Sequence, residues 1–182
     1  MQKAITPKTR MIVINTPNNP TASVFSAEDM RALEGILRGT DIVVVSDEVY
    51  EHLIYDGGQH QSVARFSGLA ERSFIVSSFG KTYSVTGWKM GYVLAPRELM
   101  AEFRKVHQFN VFTVNTPVQY GLAQYMTDPA PYLNLSAFYQ AKRDTFRAAL
   151  AGTGLRLLPC ESTYFQTVDY AAVSELPELD FA

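Results

Sequence analysis

Cysteine, long apolar runs and charge of one sign are all scarce in this chain of 182 residues. Its single cysteine, Cys160, excludes an intramolecular disulfide framework, and its three histidines follow no metal-binding spacing, so we predict no metal site. No apolar run approaches the ~20 residues that span a bilayer, and the first ten residues lack the apolar stretch of a secretory signal. The formal net charge is −2, and the 16 Lys and Arg residues are scattered. We therefore expect a cytoplasmic protein that binds neither membranes nor nucleic acid.

Four short apolar segments have the length and composition of buried strands. They are residues 11–15, 41–45, 73–77 and 91–95, with the sequences MIVIN, DIVVV, SFIVS and GYVLA. After the first of them, Ser26 and Asp29 have the spacing of a helix capping box, and Gly39 follows an apolar stripe of helical period. Continuous rather than alternating apolar runs indicate a sheet that is covered on both faces. The strand-helix-strand order predicts an α/β fold.

The pattern changes to that of helices from Arg97 onward. Residues 99–109 are one candidate helix, and Thr116 as N-cap followed by Pro117 begins another that extends to residue 126. A longer helix is predicted over residues 131–151, with two glycines after its end. Residues 163–168, TYFQTV, then have the composition of a strand. Their different pattern suggests the entry into a second domain.

Three motifs, in order along the chain, carry an amide, a carboxylate near a phenol, and an amine. They are NTPNNPTA with Asn19, SDEVYEHL with Asp47 and Tyr50, and SSFGKTYSVTGWKMGY with Lys81. Each follows a predicted strand, and ligands of open α/β sheets bind beyond the carboxyl ends of the strands. A lysine that loses its proton can bond to an aldehyde. A carboxylate beside a pyridine nitrogen keeps that nitrogen protonated, so that the ring accepts electrons. The set therefore predicts a pyridoxal phosphate site.

Each of these residues also has an ordinary interpretation when it is taken alone. A lysine in a Gly-Lys turn is usually solvated, a strand-end Asp-Glu pair is usually on the surface, and an asparagine between prolines is usually a turn residue. The register of Ser78, Lys81 and Lys89 within one motif favours the functional interpretation over these alternatives.

The three motifs resemble those of the fold-type I pyridoxal-phosphate enzymes, and specifically the class I/II aminotransferases. The segments DEVYEHLIYD and KTYSVTGWKMGY are most similar to the branch that contains kynurenine and methionine aminotransferases. The resemblance extends through almost the whole chain. It implies part of a large cofactor-binding domain, a mostly parallel sheet with helices, over residues 1–128. A connecting helix over residues 129–154 and the start of a small α/β domain over residues 155–182 would follow.

The same resemblance implies a role for each residue that matches a motif. Lys81 would bond to the aldehyde of pyridoxal 5′-phosphate and later move a proton between substrate and cofactor. Asp47 would pair with the pyridine nitrogen. Tyr50 and Asn19 would hydrogen-bond the ring oxygen.

Ser78 and Lys89 would bind the phosphate group of the cofactor. Many relatives have arginine at the second of these positions, and lysine keeps the charge but gives up the bidentate fork. Two further departures are Ala22 and Ser162, where glycine is usual. Each restricts the backbone more than glycine would.

The activity that the resemblance implies is transfer of an amino group from an L-amino acid to a 2-oxo acid by a homodimer. Family analogy favours aromatic or sulfur-containing amino acids. The phosphate-binding turn, the ring-stacking aromatic residue and the substrate-binding arginine of the family have no match, so we expect an internal portion of a longer enzyme. Two alternatives stay open: β-elimination on a cysteine conjugate with the same lysine, and a non-catalytic chain that keeps the fold for partner binding.

Overall fold

The computed structural model describes residues 1–181 of the chain. Its strands are β1 (Met11–Asn15), β2 (Val43–Asp47), β3 (Ser73–Ser78), β4 (Gly91–Leu94), β5 (Arg156–Leu157) and β6 (Val168–Asp169). Its α-helices are α1 (Ala27–Leu37), α2 (Ser67–Ala70), α3 (Phe79–Thr82), α4 (Arg97–Asn110), α5 (Thr116–Tyr125), α6 (Ala130–Leu133), α7 (Leu135–Ala149) and α8 (Glu178–Phe181). Three single 3₁₀ turns complete the regular structure: Gln2–Ala4, Val63–Arg65 and Thr86–Trp88.

The first four strands form one sheet in the order β1-β2-β3-β4. The β1–β2 and β2–β3 pairs are parallel, and the β3–β4 pair is antiparallel. β5 and β6 pair separately as a short antiparallel ribbon. The predicted α/β class with a mostly parallel sheet is therefore confirmed.

Helix α1 covers one face of this sheet and supplies the core. Ser26 is its N-cap and forms a full capping box with Asp29, as the sequence predicts. On its inner face Met30, Leu33 and Leu37 are at most 2% exposed. They belong to one apolar cluster with residues of β1, of β2 and of the segments just before β2 and β3, namely Ile14, Ile42, Val44, Val63 and Leu69.

The other face of the sheet is only partly covered within residues 1–181. Val13 is 68% exposed and Met11 is 51% exposed, whereas Ile14, which points to the α1 side, is 4% exposed. Near β3 the ring of Phe74 lies 6.1 Å from that of Phe103 on α4, measured between centroids. Within residues 1–181 the expected cover on both faces is therefore present at β3 and not at β1, because α4 reaches only the β3 side.

The helices of the second half form where the sequence places them, with two corrections: the cap of one helix and the division of another. The Asn115 side chain accepts a hydrogen bond from the Val118 amide and is the N-cap of α5, so that Thr116 is the first helical residue and not the cap. The single helix expected over residues 131–151 is two helices, α6 and α7, which meet at Asn134. Within residues 1–181, no helix combines the length and the apolar character needed to cross a lipid bilayer.

The strand expected over residues 163–168 is largely absent. Only Val168–Asp169 is a strand, and Thr163, the first residue of the expected strand, has a left-handed φ of 60°. The preceding residue, Ser162, forms an isolated antiparallel bridge with Ile54. The segment is thus attached to the loop after β2 instead of continuing a sheet of its own.

Candidate functional site

The carboxyl ends of β1, β2 and β3 meet at one edge of the sheet. Asn15 lies opposite Asp47, and Asp47 lies opposite Val76, two residues before the end of β3 at Ser78. β4 runs in the opposite direction, so its first residue, Gly91, lies opposite Ser78 at the same edge. This edge, beyond the carboxyl ends of the parallel strands, is where open α/β sheets bind their ligands.

Every site residue expected from the sequence lies within four positions of this edge. Asn19 and Tyr50 follow the ends of β1 and β2, Lys81 follows the end of β3, and Lys89 precedes the start of β4. Asp47 and Ser78 are themselves the last residues of β2 and β3. The topology therefore brings the three motifs to one side of the sheet.

Asp47 is fixed by its own backbone and by that of its neighbour strand. Its carbonyl oxygen accepts hydrogen bonds from the Thr16 amide at 3.0 Å and from the Asn15 side-chain amide at 3.2 Å. Its carboxylate Oδ1 accepts from the Val49 amide at 3.2 Å. One carboxylate oxygen is thus tied to the chain, and the other is available at the half-buried strand end.

Tyr50 is 2% exposed, and its hydroxyl donates to the hydroxyl of Tyr164 at 3.2 Å. Burial raises the pKa of the Tyr50 phenol well above its usual value of 10, and the hydrogen bond with Tyr164 and the charge of Asp47 raise that pKa further. The phenol therefore keeps its proton at neutral pH. It can act as a hydrogen-bond donor to an anionic oxygen.

Lys81 lies in α3, directly after a glycine that the local packing requires. A Cβ added at Gly80 would lie 3.0 Å from the Thr86 Cα and 3.1 Å from the Ser78 Oγ, which is tighter than ordinary contact. Lys81 is half-buried and lines a cleft of about 350 Å³. The other residues of this cleft are Gly80, Ser84, Thr86, Tyr139 and Tyr164.

The two residues expected at the phosphate differ in how they are held. The Ser78 Oγ accepts from the Gly80 amide at 3.1 Å and donates to the Met90 carbonyl at 3.3 Å. A hydroxyl has one proton, so Ser78 must give up its hydrogen bond to the Met90 carbonyl before it can donate to a phosphate. Lys89, in contrast, is exposed and has a left-handed φ of 53°.

Asn19, which is expected at the ring oxygen, is also exposed. Its backbone amide donates to the Asn15 Oδ1 at 2.9 Å.

A buried carboxylate lies directly behind this edge, at Glu48. It is 1% exposed and accepts from the Ser46 hydroxyl at 2.8 Å and the Val63 amide at 3.1 Å, and it lies 2.7 Å from the His60 Nε2. Successive side chains alternate across a strand end, so the two acids of the Asp-Glu pair point to opposite faces. Asp47, which the motif assigns to the cofactor, is the half-buried one, and Glu48 belongs to the buried cluster.

Tyr139 and Tyr164 are site residues that the motifs did not indicate. Both line the cleft that contains Lys81, although they are more than fifty residues away along the chain. Nothing in the local sequence marks a tyrosine that reaches a site from another part of the fold. The only signal was that TYFQTV contains two adjacent aromatic residues where a strand was expected.

The two departures from the usual glycines contact each other. The Ala22 carbonyl accepts a hydrogen bond from the Ser162 hydroxyl at 2.8 Å and from the Glu161 amide at 3.1 Å. Ala22 is 1% exposed and has a left-handed φ of 57°. The asparagine loop is thereby joined to the segment that carries Tyr164.

The sequence profile of the family described as aminotransferase class I and II matches residues 1–179. A methionine aminotransferase of Escherichia coli is 49% identical over 175 residues, and a kynurenine–oxoglutarate transaminase 1 of Rattus norvegicus is 37% identical over 183 residues. These alignments cover 96% of this chain and 45% and 43% of the two relatives.

Solved structures agree with these relatives. An Escherichia coli protein identified as having a methionine aminotransferase function superposes with a TM-score of 0.96 at 48% identity, over 99% of this chain and 48% of that one. The N-succinyldiaminopimelate aminotransferase of Mycobacterium tuberculosis superposes with a TM-score of 0.94 at 35% identity, over 99% and 47%. The chain spans about half the length of the relatives it matches, and it belongs to the class I and II aminotransferase family.

Proposed function

We propose that the protein containing this chain is an aminotransferase that uses pyridoxal 5′-phosphate to transfer an amino group from an L-amino acid to a 2-oxo acid. The observation that carries the proposal is the meeting of an acid, a protonated phenol and an amine at one sheet edge, supplied by Asp47, Tyr50 and Lys81. The cofactor supplies an electron-accepting ring when it is bound.

The donor set at this edge fits such a cofactor in chemical type. A carboxylate at Asp47 favours a protonated pyridine nitrogen, because opposite charges stabilise each other. The Tyr50 phenol keeps its proton and can therefore donate a hydrogen bond to the ring oxygen. The side-chain amide of Asn19 can donate a second hydrogen bond to the same oxygen. Ser78 and Lys89 offer a hydroxyl and a positive charge to the phosphate.

Lys81 is the residue that we assign to covalent attachment and to proton movement. Its amine must be neutral to bond to an aldehyde. It is half-buried and lines the cleft at the sheet edge, where a bound aldehyde would meet it. The same amine would also hold and move a proton of the bound substrate, because it lies within the cleft.

Several finer properties belong to the same proposal. Its relatives act on methionine and kynurenine by name, which supports aromatic or sulfur-containing amino acids as donors. We further propose a cytoplasmic homodimer. We also propose the division into a large domain over residues 1–128, a connecting helix over residues 129–154 and a small domain beginning at residue 155.

Replacement of Lys81 tests the proposal directly. The purified protein incubated with pyridoxal phosphate should show a visible absorption band, and borohydride should then fix the cofactor covalently to Lys81, as peptide mass spectrometry would show. Lys81→Ala should abolish both the band and the adduct. Amino-group transfer to an added 2-oxo acid, and not release of pyruvate with a thiol, should accompany the band.

A matched control is Lys105→Ala, since Lys105 is an exposed lysine paired with Glu102 on α4. This variant should keep the band and the adduct unchanged. A band that persists in Lys81→Ala, or a label on a different lysine, would remove Lys81 from the mechanism.

A further inference from the structure

Tyr164 contacts Tyr50 and also lines the Lys81 cleft. The two tyrosine hydroxyls lie 3.2 Å apart, and the two rings meet edge to face with centroids 5.3 Å apart. The same Tyr164 side chain forms part of the wall of the 350 Å³ cleft. It is the point at which residues from beyond position 155 reach the motifs of the sheet edge.

The backbone before Tyr164 is fixed by hydrogen bonds to the loop after β2. The Thr163 amide donates to the Leu53 carbonyl at 3.0 Å, and the Tyr55 amide donates to the Glu161 carbonyl at 2.9 Å. The Tyr55 hydroxyl also donates to the Thr163 carbonyl. Thr163 is fully buried, so these bonds are shielded from competing water. The position of Tyr164 is therefore set by the fold.

Aromatic neighbours restrict the orientation of the Tyr164 ring. The ring of Tyr139 on α7 lies 5.5 Å away and that of Phe165 lies 4.9 Å away, measured between centroids. Phe165 also lies edge to face against Tyr50 at 6.0 Å. Tyr164 is 40% exposed, so these rings contact it from one side only, and the contacts on that side favour the orientation in which its hydroxyl meets that of Tyr50.

A pair of hydroxyls can exchange the roles of donor and acceptor. Each carries one proton and two lone pairs, and the proton rotates to suit the partners that are present. If the Tyr50 proton turns to an anionic ring oxygen, the Tyr164 proton can turn to the Tyr50 oxygen. Donation to Tyr50 makes the Tyr50 proton a stronger donor, because hydrogen bonds in a chain polarise one another.

We propose that Tyr164 is a positioning residue for the aminotransferase reaction. With the cofactor bound, the hydrogen bond between the two hydroxyls would reverse, so that the Tyr164 hydroxyl donates to Tyr50 and the Tyr50 proton is directed to the ring oxygen. The Tyr164 ring forms one wall of the Lys81 cleft. The inference rests on the proposed function and goes beyond it, because it assigns a catalytic-site role to the segment after residue 155.

The test is a pH titration of the visible band of the cofactor-loaded protein, in wild type and in Tyr164→Phe. A donor at the ring oxygen competes for that oxygen with the nearby proton of the Lys81 linkage. A weaker donor leaves the linkage proton more tightly held, so Tyr164→Phe should raise the pH midpoint by about half a pH unit, the effect of part of one hydrogen bond. Tyr50→Phe should raise it further.

The double variant, Tyr50→Phe with Tyr164→Phe, separates positioning from a general structural effect. If Tyr164 acts through Tyr50, the double variant should have the midpoint of Tyr50→Phe alone. Tyr170→Phe is the matched control, since it removes a hydroxyl bonded to the Leu176 carbonyl outside the cleft, and its midpoint should equal that of wild type.

Three outcomes would overturn the inference. An unchanged midpoint in Tyr164→Phe would show that its hydroxyl does not influence Tyr50. Additive shifts in the double variant would show that Tyr164 acts independently of Tyr50. A wild-type protein that forms no band at all would contradict the proposed function and the inference together. The first two outcomes would contradict the inference alone.

Discussion

Residues 11–95 and residues 97–181 differ sharply in how much apolar surface they bury. Of the buried apolar residues, all but Leu122 and Cys160 lie in the first region. The long helices α4 and α7 of the second region contain no buried residue, and Phe109 on α4 is 88% exposed. A parallel sheet with α1 on one face therefore holds most of the core within residues 1–181.

The candidate site takes its reactive residues from the first region and part of the wall of its cleft from the second. The residues of the three motifs lie at the ends of the strands or within four positions of them, so the well-packed sheet determines their positions. Tyr139 and Tyr164 come from the region with little core, and Tyr164 is positioned by hydrogen bonds at the seam between the two regions. This seam consists of the hydrogen bonds that join residues 161–163 to Ala22 and to the loop after β2. The seam, and not the helices of the second region, fixes the position of Tyr164 in the wall of the cleft.

The comparison predicts its largest effect in the core under α1. Leu33 is 2% exposed and Leu133 on α6 is 66% exposed. Leu33→Ala should lower the free energy of unfolding by roughly 2–5 kcal/mol, because it removes buried methyl groups and leaves a cavity. Leu133→Ala should change it by less than about 0.5 kcal/mol. Urea unfolding of both variants measures the difference.

Equal costs for the two leucine variants would break the comparison. A cost above about 1 kcal/mol for Leu133→Ala would mean that polypeptide outside residues 1–181, or a second copy, covers α6 in the purified protein. A small cost for Leu33→Ala would instead mean that the cluster under α1 is loosely packed.

A smaller and pH-dependent effect is expected at Glu48. Burial raises the pKa of this carboxyl, but the hydrogen bonds and charge of His60 and the hydrogen bond of Ser46 outweigh burial, so the pKa lies below its ordinary value of 4.5. The stabilising contribution is therefore complete above about pH 4.5 and is lost as the pH falls through the pKa of the folded state. Glu48→Gln should cost about 1–3 kcal/mol at pH 7.

The gap between wild type and Glu48→Gln should narrow when unfolding is measured below about pH 4.5. Glu102→Gln is the control, because Glu102 pairs with Lys105 on the surface, where both side chains are 69% exposed. Its effect should stay below about 0.5 kcal/mol at either pH. A gap at Glu48 that is independent of pH would mean that its charge contributes nothing to the buried cluster.

The sequence predicts most of the sheet and the positions of the site motifs, because both depend on local patterns. The runs MIVIN and SFIVS match β1 and β3 within one residue, and the Ser26–Asp29 capping box forms as its spacing indicates. A strand must end where polar residues begin, and the ends of parallel strands share an edge. The assignment of Asp47 and Lys81 to one edge follows from that geometry.

The seam could not be predicted in the same way, because its partners are distant in sequence. Ser162 and Ala22 are 140 residues apart, and nothing local to either indicates the other. The left-handed φ of Thr163 interrupts a segment whose composition favours a strand, which is a tertiary effect that overrides β propensity. Tyr164 therefore has no local signal in the sequence that would place it at the site.

The smallest effect on the free energy of unfolding is expected at the seam. A substitution there also tests whether the seam positions Tyr164. Ser162 is fully buried and its hydroxyl donates to the Ala22 carbonyl, which keeps a second donor at the Glu161 amide. Ser162→Ala should therefore cost only about 1 kcal/mol, since the carbonyl does not lose its last partner. Ser23→Ala, which removes an exposed hydroxyl from the same loop, should cost less than about 0.5 kcal/mol. If the seam positions Tyr164, Ser162→Ala should also shift the pH midpoint of the cofactor band in the direction of Tyr164→Phe, whereas a stability loss with an unchanged midpoint would show that this bond supports the fold alone.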